Sequence, residues 1–101
     1  MIKIELLYFD GCPSWEAGLR NLKAALALEN IDTSIELIKV ESDVDAESEK
    51  FLGSPSFRID GKDLWFEERQ SFSLGCRVYA SGEELKGFPT VTMLQEKIRN
   101  I

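Results

Sequence analysis

Leu7-Tyr8-Phe9-Asp10-Gly11-Cys12-Pro13-Ser14-Trp15 joins a strand pattern to a helix pattern, and the reading of the whole fold turns on that junction. Upstream, Ile2, Ile4, Leu6 and Tyr8 alternate on one face of an expected strand over residues 2–9. Leu7 and Phe9 make the other face apolar near its end. Apolarity on both faces suits a central strand covered by helices. Downstream, Trp15, Leu19, Leu22 and Leu26 step by four, three and four along one helical stripe. Pro13 suits the first helical position, where a missing N–H is harmless. The alanines at 24, 25 and 27 add helix propensity, and the helix is expected to end near Glu29 or Asn30.

A thiol at the start of that helix faces the positive end of the helix dipole, which favours thiolate over thiol. Asp10 and Glu16 act in the opposite sense, because nearby negative charge disfavours a thiolate. Cys12 is therefore a candidate nucleophile or soft-metal ligand. The competing reading is an inert cysteine buried for packing alone.

The rest of the chain completes an α/β pattern. Residues 34–40 read as a second strand. Ser42 and Asp45 resemble a capping pair for a helix over residues 43–52, which would bury Val44, Phe51 and Leu52 and stop at Gly53. Asp60-Gly61 is a tight-hairpin signal between strands at 56–60 and 62–66. Residues 67–75 have no period. Cys76 to Tyr79 reads as a short strand or the end of that loop, and residues 80–88 are polar and punctuated by glycine. Thr90 caps a final helix whose stripe is Val91, Leu94, Ile98 and Ile101. The expected architecture is one α/β domain over residues 1–101: a central mixed sheet with a β-α-β core, a β-hairpin and a final helix. Residues 67–88 form a loop-rich insertion before that helix.

Composition bounds the function. At 101 residues the chain makes one domain, and 44% hydrophobic with 30% charged residues fits a globular protein. A net charge of −6 and a pI near 4.6 argue against nucleic acid and against an anionic membrane surface. With no histidine, the chain cannot supply a His-assisted cysteine nucleophile, and two cysteines do not close a zinc site. No metal site or cofactor is expected. The opening MIKIELLYFD is too short and too interrupted by Lys3 and Glu5 for a signal peptide, and no stretch reaches the ~20 apolar residues of a membrane span. A cytoplasmic location is the default expectation, with the cysteines resting as thiols and any disulfide transient.

The order β-α-β-α-β-β-α, with Cys12 opening the first helix and Ser54-Pro55 opening the third strand, resembles the thioredoxin-like superfamily. The likeness covers roughly residues 1–66 and resumes at the final helix. It implies that Cys12 is the nucleophile, that Pro55 is a cis-proline beside the sulfur, and that the Ser54 backbone pairs with a bound peptide or thiol substrate. Pro13 and Trp15, flanking the thiol, join Ser54 and Pro55 as implied substrate-binding residues. The family's second, resolving cysteine is replaced by Trp15, which cannot attack a mixed disulfide. Cys12 then works as a monothiol, or is resolved by an external thiol or by Cys76.

The runs Leu7 to Pro13, Gly53 to Gly61 and Cys76-Arg77-Val78-Tyr79 are also similar to small bacterial thioredoxin-like proteins grouped with alkylmercury lyases, which implies mercury or thiol chemistry. The leading expectation is a thiol–disulfide oxidoreductase, exchanging through Cys12 with a thiol or disulfide substrate or a reductant protein, or reacting there with soft electrophiles. Cys76 is the candidate second catalytic thiol. One alternative is capture of a soft metal or organomercurial by two thiolates, which linear two-sulfur coordination permits. The other is a redox-inactive interaction module docking through its aromatic hairpin region.

Overall fold

In the computed structural model, which describes residues 2–82 and 84–101, the central strand is β1 (Ile4–Tyr8). It pairs in parallel with β2 (Ile35–Lys39) and antiparallel with β3 (Ser56–Ile59), and β3 pairs antiparallel with β4 (Lys62–Asp63). The sheet order is β2-β1-β3-β4, so the protein is α/β with a mixed sheet, as expected.

Alternation along β1 sends side chains to two layers. Ile4 and Leu6 join Phe57 and Ile59 of β3 under helices α1 (Trp15–Leu28) and α3 (Val91–Arg99), where Leu22, Ala25, Leu26, Leu94 and Ile98 are buried. Leu7 points the other way, to Val40, Phe51 and Ala46 of helix α2 (Asp43–Glu49). Glu5 shares that second face. It is buried, and its charge is met by Arg58, directly across the ladder, at 3.2 Å.

Several boundaries differ from those the sequence predicts, each for a local reason. The Cys12 N–H bonds to the Phe9 carbonyl at 3.1 Å, closing a turn that delays the helix. Its first residue is therefore Trp15, and Pro13 precedes the helix rather than opening it. Helix α2 stops at Glu49 because Lys50 is left-handed, with φ 53°. Phe51 and Leu52 are buried as expected but from the turn beyond the helix, while Val44 is 76% exposed and Ala46 takes the inward position. The predicted cap is present: Ser42 Oγ accepts the Asp45 N–H at 3.1 Å.

Asp60 and Gly61 both have positive φ, as the hairpin requires. Strand β4 nonetheless has only two residues, because the Asp63 carboxylate accepts the Trp65 N–H at 2.8 Å and turns the chain out of the ladder. Thr90 caps α3 through the Met93 N–H at 3.1 Å. Ile101 lies two residues past the helix and is 64% exposed, so it drops out of the apolar stripe. Within residues 67–88, the stretch expected to be irregular contains a small hairpin of β5 (Tyr79–Ser81) and β6 (Glu84–Lys86). Among the described residues, no helix is long and apolar enough to cross a membrane.

Candidate thiol site

Ser54 is the hub that brings the two cysteines together. It sits just before β3, wholly buried, and its peptide bond to Pro55 is cis. Its hydroxyl accepts the Phe9 N–H at 3.4 Å, which fixes the end of the loop leading to Cys12. Its carbonyl accepts the Cys12 thiol at 3.4 Å. The same carbonyl accepts the Arg77 N–H at 3.0 Å, and the Ser54 N–H donates to the Gly75 carbonyl at 2.8 Å. These last two bonds form a one-residue parallel bridge between Ser54 and Cys76.

Because the Cys12 thiol bonds to the same Ser54, the bridge brings Cys76 to the neighbourhood of Cys12 across 63 residues of intervening chain. Both are free thiols, one buried and one exposed. Partial desolvation, then hydrogen bonding and charge from Cys12, push the pKa of the Cys76 thiol up. Cys12 itself is only 3% exposed. Asp10, the acidic neighbour expected to oppose a thiolate, is paired with Lys39 at 2.6 Å. The strong Asp10 contact raises the Lys39 pKa.

The segment carrying Cys76 is tied down on its other side. Adjacent residues of an extended chain point to opposite faces, so Cys76 faces solvent while Arg77 turns inward. The Arg77 guanidinium reaches Ser56 Oγ at 3.3 Å and both Asp63 oxygens at 3.1 and 3.0 Å, and it also donates to the Trp65 carbonyl. Two residues on, the buried Tyr79 hydroxyl donates to the Pro55 carbonyl. Burial is the main reason its phenol pKa is pushed up. Each such bond contributes on the order of 1 kcal/mol net, and more where a charge takes part.

Two glycines make these close approaches possible. A Cβ on Gly53, whose φ is +115°, would stand 2.9 Å from Arg77 Cβ and 3.2 Å from its Cα. A Cβ on Gly18 would meet Pro55 Cγ at 3.0 Å and Phe57 at 3.2 Å, so this glycine lets α1 lie directly on the proline. Gly53 thus serves the contact with Arg77; the expected stop to α2 is supplied by Lys50.

Pro13 is exposed near the sulfur. Trp15 is half-buried and stacks on Tyr8 at 4.0 Å between ring centres, as part of the core rather than a free wall of the thiol pocket. Pro55 is fully buried, and both backbone groups of Ser54 are engaged by the chain's own residues 75 and 77. A substrate could pair with Ser54 only by displacing that segment. Arg77, Asp63, Tyr79 and Gly53 complete the site. The first was visible in the sequence only as a neighbour of Cys76, and Asp63 only as a polar residue after a hairpin turn.

A cleft of about 770 Å³ lies between α2, Arg58 and Phe72 and contains neither cysteine. A smaller one, about 570 Å³, is lined by Cys76 together with Trp65, Tyr79, Met93 and Lys97. Among the described residues, no three or more His, Cys, Asp or Glu side chains group to hold a metal ion. No family model, curated protein or solved structure matches the chain.

Proposed function

We propose that this protein is a thioredoxin-like thiol protein in which Cys12 and Cys76 form a reversible disulfide and exchange it with an external thiol or disulfide. The observation that carries this reading is the bridge at Ser54, which holds both cysteines on one backbone unit while leaving both as thiols. Resolution of a mixed disulfide within one chain needs a second sulfur close to the first, and Trp15 in the family's resolving position cannot supply it. Cys76, reached through the tertiary fold, can. The mixed sheet and the helices on both of its faces agree with the family resemblance.

Mild oxidation followed by peptide mapping tests the proposal. A Cys12–Cys76 cross-linked peptide is the expected product, and Cys12→Ser should abolish it. Two alkylatable thiols persisting after oxidation would count decisively against it.

A second reading, a redox-inactive interaction module, is favoured by one observation: the near-complete burial of Cys12. The same experiment separates the two, because a packing cysteine forms no bond to Cys76.

A further inference from the structure

The two sulfurs differ sharply in access. Cys12 is 3% exposed and hydrogen-bonded to the Ser54 carbonyl, whereas Cys76 is open to solvent and lines a cleft of about 570 Å³. We infer that Cys76 is the sulfur through which exchange with the outside proceeds, with Cys12 as its internal partner, and that the cleft beside it receives a small thiol or disulfide with an apolar or aromatic body and a negative charge. This rests on the disulfide reading above.

The chemistry of the cleft defines that class. Trp65 and Tyr79 stand edge to face with 4.9 Å between their ring centres, and Met93 adds an adaptable apolar wall. Three cations line it. Arg77 is committed to Asp63 and Arg69 to Glu67. Lys97, held over the Trp65 ring at 5.6 Å, has no carboxylate partner among the described residues. It makes a positive spot on a chain of net charge −6.

An external thiolate attacks Cys76 Sγ of the oxidised protein. The new bond joins the small sulfur to Cys76, the Cys12–Cys76 bond breaks, and its electron pair leaves on Cys12, which takes up a proton. A second small thiol attacks the mixed disulfide and releases Cys76 as a thiol and the small disulfide as product. Two small thiols are oxidised and one protein disulfide is reduced. The reverse sequence begins with attack of the Cys76 thiolate on a small disulfide.

Two probes test this in the intact chain. Dithiobis(nitrobenzoate) is an aromatic disulfide carrying two carboxylates, and dithiodipyridine is its neutral counterpart. Reduced wild type mixed with a limiting amount of either, quenched in acid and mapped, should carry the first adduct on Cys76. Cys12→Ser should keep its adduct on Cys76, and Cys76→Ser should react roughly tenfold slower than wild type, since exchange rates follow access to the attacking sulfur. A first adduct on Cys12, or a Cys76→Ser variant as fast as wild type, would overturn the assignment even if the disulfide itself forms. Failure of the intramolecular disulfide, with adducts still on Cys76, would instead sink the reading on which it rests. In Lys97→Gln the ratio of the anionic to the neutral probe rate should fall. An unchanged ratio would overturn the charge preference.

Discussion

Arg77 Nη1 lies 3.1 and 3.0 Å from the two carboxylate oxygens of Asp63, in a place where the two side chains are only 6% and 9% exposed. This ion pair anchors the segment bearing Cys76 against the end of β4. Its neighbours complete the anchoring: Ser56 Oγ, the Trp65 carbonyl and the Tyr79 ring, 5.3 Å from the guanidinium carbon. Breaking a buried pair by removing one partner typically costs about 3–5 kcal/mol, because the other charge is left uncompensated. Arg77→Ala and Asp63→Ala should each lower the unfolding free energy read from urea titration by an amount in that range, and the double variant by much less than the sum. Additive losses in the double-mutant cycle would show that the pair does not couple.

Gly53→Ala should loosen the same segment from the opposite side. The residue has φ +115° and would place its Cβ 2.9 Å from Arg77 Cβ, with backbone behind it. Left-handed strain alone costs about 1–3 kcal/mol. The expected outcome is a loss of at least that size, together with a less favourable Cys12–Cys76 disulfide, read as a less negative reduction potential against a thiol redox buffer. An unchanged potential would mean that the approach of Arg77 to Gly53 does not position Cys76.

Ionisation of Cys76 gives a pH signature. Desolvation first, then hydrogen bonding and charge from Cys12, raise its pKa. Its alkylation should therefore reach half-maximal rate above the ~8.5 of a free cysteine. In Cys12→Ser the midpoint should move down only part of the way, since desolvation is the larger cause. The native state binds this proton more tightly than the unfolded chain. The stability it contributes is thus present below the unfolded pKa and lost as pH rises through the raised native value. Wild type should accordingly lose more stability than Cys76→Ser on alkaline titration. A Cys76 midpoint that does not move in Cys12→Ser would show that the two thiols do not interact.

Much of this fold is legible in the sequence because its signals are local. The two-sided apolarity of β1, the stripe of α1, the caps at Ser42 and Thr90 and the Asp60-Gly61 turn each depend on residues within a few positions of one another. What the sequence does not disclose is long-range. The pairing of Ser54 with Cys76 depends on where an aperiodic loop returns, and no periodicity encodes that. The partnership of Arg77 with Asp63 likewise needs the β3–β4 turn and the returning segment to be in place together. Gly53 illustrates how a local reading goes astray: a glycine after a helix pattern looks like a stop, but here it accommodates a neighbour that arrives 24 residues later. Val44 is exposed because Ala46 takes the inward position of α2, and Ile101 because it lies past the end of α3.

Oxidation should also stabilise the protein. A bond closing the 63-residue interval between Cys12 and Cys76 restricts the unfolded chain by about 4 kcal/mol in the chain-entropy account. The urea midpoint of the oxidised wild type should exceed that of the reduced form, and Cys76→Ser should show no such difference. Equal midpoints for the two wild-type forms would contradict a native-like disulfide.

A thiol count and disulfide map of the wild-type protein after mild oxidation at low protein concentration tests the Cys12–Cys76 pairing. Both free thiols should be lost together, and a single Cys12–Cys76 linked peptide should appear. Retention of two free thiols, or disulfides formed only between chains, would contradict it.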